Sequence, residues 1–225
     1  MWALHKLKAG QDLQPYDSAS SSQFTATEIE QFPVLSTRNF WCIQRHQATA
    51  HHYDLRMHLN GGLLSWAIPK GLLGMSKDAE PARLAIQTEI HPVRYAVHEV
   101  LWDVGQYFVD DIHTYDADSP ESPWQDGADS QELGLFEERK LESAMKRIGD
   151  GDARSFHFFL RGGRKATFIL VRTSDGGSRP KPNKPSWLVR LPKEVQGYPW
   201  DSEGEDGDGY GRSVKMVVEG GLRAS

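Results

Sequence analysis

The chain has 225 residues, 38% of them apolar and 25% charged, with a formal net charge of −5. That length accommodates one large or two small domains with a real core. No stretch approaches the roughly 20 apolar residues of a membrane helix, and the opening MWALHKLKAGQDLQPYDS lacks the apolar run of a secretory leader, so a soluble intracellular protein with no membrane partner is expected. Five acids and no bases fall in DSEGEDGD at 201–208; taking them from the 31 acids leaves 26, equal to the 26 bases. A neutral body excludes a broad basic clamp, so any polyanionic partner must be gripped locally by a few cations. A single cysteine, Cys42, excludes an internal disulfide and a Cys-rich zinc site, and within FWCI it reads as a small buried hydrophobe.

In chain order, residues 1–37 mix Ser, Thr, Gln and Asp without a sustained period, and SASSSQ reads as part of a flexible N-terminal arm. From residue 38 to about 195 short apolar runs follow one another: FWCIQRH, HYDLRMHL, LLSWAIPK, RLAIQTEI, YFVDDI, SFHFFL, TFILVRT and SWLVRL. Their length, aromatic and β-branched content and Gly/Pro/Asn punctuation predict strands. Asn60–Gly61 between two of them predicts a tight hairpin, because both residues tolerate positive φ. One helix is expected over LGLFEERKLESAMKRIG, where Leu135, Phe136, Leu141, Ala144, Met145 and Ile148 recur at helical spacing before Gly149 ends it. Residues 196–225 are Gly-rich and acidic and read as a tail. The sum is a mainly β chain, a compact barrel of about eight strands with peripheral helices and loops.

The polar residues concentrate between Gln44 and Tyr95. Alternate residues of a strand share a face, so His52, Asp54 and Arg56 project together and Leu55 and Met57 oppositely. The preceding strand carries Gln44 and His46 on one side, and a turn through residues 47–51 can bring that side alongside. Lys70 falls at a strand end after SWAIP. Arg83, Gln87, Glu89 and His91 have the even spacing of a third shared face. A carboxylate with neutral imidazoles suits Mn²⁺, Fe²⁺ or Zn²⁺, and two arginines with a lysine suit phosphate oxygens. The scattered histidines His5, His58, His98, His113 and His157 read instead as surface or satisfied core residues.

The run IQRHQATAHHYDLRMHLNGGLLSWAIPKG resembles the 3′-phosphoesterase domain of bacterial DNA ligase D and its stand-alone relatives, whose pattern is close to Q-[RK]-H-x-A-[ST]-x-x-H-Y-D-[LF]-R followed by S-W-A-[VI]-P-K-G. The blocks ARLAIQTEIHPVRYA, SFHFFLRGGRKATFILVRT and KPSWLVRLPKE are similar to later strands of the same family, so the likeness covers residues 38–194. It implies a β-barrel and a manganese-dependent activity on 3′ ends, with Co or Zn as alternative ions. The reaction implied is removal of a 3′-phosphate or of a terminal ribonucleoside. By matching position it implies His46, Asp54 and His91 as metal ligands and His52 and Arg56 as catalytic groups. Gln44, Lys70, Arg83 and Tyr95 are then the surrounding phosphate and substrate contacts. Physically, a protonated His52 could donate to the leaving oxygen, since an imidazole of pKa about 6.5 takes both forms near neutrality.

Departures cluster after Tyr95. Glu99, Gly105, Tyr107 and Asp116 are kept, but Val100, Asp103, Phe108 and Asp110 stand where the family has glycines and a proline, so a loop of different shape is expected there. Ile90 replaces an acid before the H-P pair, and Arg190 a lysine. Two rival readings follow from the residues. His52-x-Asp54 with His91 imitates the triad of non-haem iron oxygenases, and a catalytically degenerate module could bind nucleic-acid ends or a repair partner without turnover. A DNA 3′ end is the expected partner, with a ligase or polymerase acting in trans and a nuclear or nucleoid setting.

Overall fold

A computed structural model describes residues 24–47, 51–72, 75, 80–98, 101–109, 130–162, 165–173 and 185–192. The acidic tail, arm residues 1–23, and Glu99, Val100, Asp110 and Asp116 lie outside these described residues. The strands are β1 (Phe40–Gln47), β2 (His51–Leu59), β3 (Gly62–Ile68), β4 (Ala82–Gln87), β5 (His91–Pro92), β6 (Leu101–Val109), β7 (Ser155–Arg161), β8 (Lys165–Arg172) and β9 (Ser186–Arg190). They pair in the order β2-β1-β6-β7-β8-β9-β4-β3, and β3 pairs back onto β2, closing an eight-stranded antiparallel barrel with β5 added beside β3. The expected fold class is the observed one.

Period-two alternation decides what each strand turns inward. Trp41 and Ile43, Leu55 and Met57, Leu64, Trp66 and Ile68 meet Phe158, Phe168, Leu170, Trp187 and Val189 in the barrel interior. The same strands send Phe40, Cys42 and Leu63 outward, where they are covered by Phe24, Phe32, Leu35, Val93, Ala96 and Val97. Two hydrophobic layers therefore sandwich β1 and β3. Burial pushes the Cys42 thiol up to about 12, as expected of a packed thiol.

The outer layer uses part of the stretch assigned to the arm. Residues 24–36 form a short helix, α1 (Ala26–Gln31), and a 3-10 turn, Pro33–Ser36. Thr25 and Glu28 close a reciprocal capping box on α1. Glu28 also takes both Nη groups of Arg94. The sequence signal for this segment was the T-x-x-E of the capping box rather than any long period.

The Asn60–Gly61 hairpin forms as expected, with φ of 49° and 77°, the left-handed pair that a two-residue primed turn requires. Helix α2 (Ser130–Asp150) also forms, but two details differ from the sequence reading. Phe136 faces solvent at 59% exposure, while Glu137 and Glu138 are buried beside the apolar stripe. Gly151, at φ 88°, rather than Gly149 ends the helix, and the Gly151 and Asp152 amides donate to the Ile148 and Arg147 carbonyls. The segment expected as an altered loop is strand β6 from Leu101 onward, with Asp103 and Phe108 buried at ordinary strand positions. Gly105 is needed for another reason: a Cβ there would lie 1.9 Å from the Arg161 carbonyl oxygen on β7.

Candidate active site

The β1–β2 register sets Gln44 opposite Asp54 and His46 opposite His52, so all four side chains share the outer face, with Arg56 next along β2. Asp54 is the centre. Its Oδ2 accepts from Arg56 Nη2 at 2.7 Å and lies 3.5 Å from His46 Nδ1, and its Oδ1 lies 3.5 Å from His52 Nε2. The two imidazole rings are 4.8 Å apart between centroids. Asp54 and Arg56 are buried, whereas the His46 and His52 side chains remain 37% and 21% exposed at the mouth.

Several buried atoms here make no hydrogen bond: Asp54 Oδ1, Arg56 Nε and Nη1, Gln44 Oε1, Ser65 Oγ and His91 Nδ1. An orphaned buried polar group costs about 1–3 kcal/mol, and more when charged. A concentration of them on one wall is the mark of a place that another molecule completes. The donor chemistry fits a divalent cation. Among the described residues, one nitrogen from His46, one from His52 and one Asp54 oxygen all lie within 4.8 Å of one another, and two imidazoles with a carboxylate suit Mn²⁺, Fe²⁺ or Zn²⁺.

The ligands expected from the sequence were His46, Asp54 and His91, two of which are in this trio. His91 lies on β5, opposite Leu63 of β3, and joins the site from the Arg56 side. Its ring is 5.2 Å from that of Tyr95, over which the Arg56 guanidinium sits at 5.9 Å. Burial first, then the Arg56 charge, holds the His91 imidazole below the ordinary 6.5, against the pull of Asp54 and Glu89. Register explains why the other two histidines are so close. His46 and His52 are direct cross-strand partners, the closest kind of neighbour a sheet provides.

The remaining expected contacts divide. Gln44 Nε2 donates to the Tyr95 and Ala96 carbonyls at 2.8 and 3.0 Å, pinning the 3-10 helix Val93–Val97 against β1. Tyr95 itself is 42% exposed beside Arg56. Arg83 and Gln87 do not share the outer face with Glu89 and His91, because residues 88–90 interrupt the strand between β4 and β5. Gln87 turns into the barrel, where its Oε1 accepts from Trp187 Nε1. Arg83 ties down the segment after β3 by donating to the Lys70 and Gly71 carbonyls, and it pairs with Glu80. Lys70 Nζ is exposed and 2.6 Å from Glu80 Oε1. Of the scattered histidines, His58 is a satisfied core residue with Nδ1 2.7 Å from the Arg38 carbonyl, and His98 is on the surface with its ring 5.2 Å from that of Tyr95.

No described helix is long and apolar enough to cross a membrane. The sequence is similar to the protein called multifunctional non-homologous end joining protein LigD from Pseudomonas aeruginosa, 35% identical over 143 residues, which is 62% of this chain and 16% of that protein. The Mycobacterium tuberculosis protein of nearly the same name is 38% identical over 99 residues, 36% of this chain and 13% of its own length. One from Mycolicibacterium smegmatis is 33% identical over 111 residues, 49% of this chain and 14% of its own. The chain thus spans a minor part of these relatives. The model of the DNA ligase D 3′-phosphoesterase domain matches residues 44–172, more than half of the chain and including Gln44, His46, His52, Asp54, Arg56 and His91, and the chain belongs to that family.

Proposed function

We propose that this chain is a metal-dependent phosphoesterase that removes 3′-phosphates or 3′-terminal ribonucleosides from DNA strands, with Mn²⁺ as its ion. The observation that carries the reading is the pairing of His46, His52 and Asp54 with a buried Arg56 whose Nε and Nη1 make no hydrogen bond. His46, His52 and Asp54 would hold the ion, which when bound offsets phosphate charge and brings the ionisation of water toward neutral pH. Arg56 donates from its two unused N–H positions to non-bridging phosphate oxygens, where a planar fork is well matched. His91, beside Arg56 and with Nδ1 making no hydrogen bond, would carry the proton at the ester oxygen. Gln44 positions Tyr95 through the backbone. The set differs from the sequence-based one in giving His52 to the ion and His91 to the proton.

Names of the relatives specify end joining, which supports a role in processing broken DNA ends, inside the cell and alongside a ligase or polymerase acting in trans. The donor trio alone would also serve a non-haem iron oxygenase. Arg56 and its unused N–H groups favour phosphate. The test is a primer bearing a 3′-phosphate or a single 3′-ribonucleotide, incubated with a panel of Mn²⁺, Co²⁺, Zn²⁺ and Mg²⁺. Metal-dependent release is expected, falling on the order of 10³-fold in Asp54→Ala. No release with any ion, or release untouched by Asp54→Ala, sinks the proposal.

A further inference from the structure

Helix α2 sorts its charges by face. Glu137, Glu138 and Glu142 turn to the barrel, where they accept from the Val109 amide, the Asn60 amide and Asn60 Nδ2. Arg139, Ser143, Lys146 and Arg147 fall on the opposite side of the helix and are exposed. Between Arg139 and Arg147 the one carboxylate is Glu142, which Asn60 takes up; exposed Asp150 and Asp152 bound the row beyond Arg147. Other cations are neutralised in place: Arg38, Arg56, Arg83 and Arg94 each pair with a carboxylate. Arg139, Lys146 and Arg147 make no ion pair among the described residues. Lys146 and Arg147 suit the negative end of a helix, but Arg139, in its middle, gains nothing from the dipole. A row of unpaired cations fixed on a packed helix is the makeup of a surface for a polyanion.

The row begins within reach of the Asp54 wall. Glu138, next to Arg139, fastens α2 to Asn60. From Asp54 to Asn60 the chain covers about 20 Å at strand rise, and from Arg139 to Arg147 the helix adds about 12 Å. At about 3.4 Å per base pair, the row therefore lies about 6 to 9 base pairs behind a 3′ end held at Asp54. We infer that the solvent face of α2, through Arg139, Lys146 and Arg147, binds the phosphate backbone of the DNA duplex behind the 3′ end. The inference rests on the phosphoesterase reading for where that end lies. Phosphate contacts carry no sequence information, so the face adds affinity and orientation without base preference.

The experiment uses fluorescein-labelled DNA hairpins ending in a 3′-phosphate, with stems of about 5 and about 16 base pairs, so that only the longer one spans the row. Kd is read by anisotropy across a salt series without added metal. The triple variant Arg139→Gln, Lys146→Gln, Arg147→Gln should bind the long hairpin about tenfold more weakly near 0.1 M salt, with a salt slope smaller by about 1 per residue removed. The short hairpin should bind the variant and wild type equally. Charge-keeping Arg139→Lys, Arg147→Lys should retain the wild-type Kd, and Arg190→Gln, which removes an exposed cation from β9, should change neither hairpin. An unchanged long-hairpin Kd in the triple variant, an equal loss on both hairpins, or the same loss in Arg190→Gln overturns the surface. If the long hairpin binds as expected but loses no phosphate with any ion, the phosphoesterase reading fails and the surface stands.

Discussion

Among the described residues, Asp54 and Glu138 are buried carboxylates that each sit beside an arginine and at least one histidine on the outer face of β2. Glu138, from α2, is saturated: it accepts from the Asn60 amide at 2.7 Å and from Arg38 Nε at 2.5 Å, and lies 3.4 Å from His58 Nδ1. Asp54 has the same kinds of neighbour, yet its Oδ1 accepts no hydrogen bond and two nitrogens of Arg56 donate none. Similar residue types thus make a fastener in one place and an incomplete cluster in the other. What separates them is completion. A charge cluster whose bonds are all made internally contributes stability and specificity, whereas one left short of partners holds unspent binding capacity for a ligand.

The contrast can be broken most forcefully at the two arginines. Arg56→Lys should reduce primer turnover roughly 10²- to 10³-fold, because a lysine keeps the charge and loses the fork, while Arg38→Lys should leave turnover per folded molecule unchanged. Comparable activity loss in both would erase the distinction. Next in size, Glu138→Ala should cost about 3 kcal/mol in urea unfolding, since it strands Arg38 and the Asn60 amide in a buried setting, again with turnover per folded molecule retained. A stability equal to wild type would mean that α2 is not fastened there.

The smallest effect is in pH. Burial first, then the Arg38 charge, lowers the His58 imidazole below 6.5, although Glu138 and the Arg38 carbonyl pull the other way. A histidine with a depressed folded value binds fewer protons when folded than when unfolded. Its contribution is therefore present above 6.5 and lost as pH falls through the lower folded value. Urea midpoints should drop between pH 7.5 and 5.5 in wild type and drop less in His58→Gln. An identical slope in both proteins would assign the acid sensitivity elsewhere.

Much of this was legible in the chain before any coordinates. Period two on β1 and β2 correctly gathered Gln44, His46, His52, Asp54 and Arg56 on one face, and Asn60–Gly61 correctly named the turn that follows. Alternation could not say that His46 and His52 lie directly opposite one another beside Asp54, because that depends on the register between β1 and β2. Nor could even spacing survive residues 88–90, which are not strand and which send Arg83 and Gln87 away from the wall that His91 joins. In α2, helical period alone favoured Phe136 over its neighbours. The buried positions went to Glu137 and Glu138, because the Val109 and Asn60 amides need acceptors where those strands meet the helix.

The hairpin at Asn60–Gly61 carries an obligation beyond reversing the chain. His52, Asp54, Arg56 and His58 are consecutive outward residues of the strand it terminates, and Leu55 and Met57 are its inward ones. A slip of one position would drive four ionisable side chains into the apolar lumen and push the aliphatic ones out. Misaligned forms are thus eliminated by their own desolvation cost, and any molecule that completes its barrel has, by that act, already assembled both charge centres correctly.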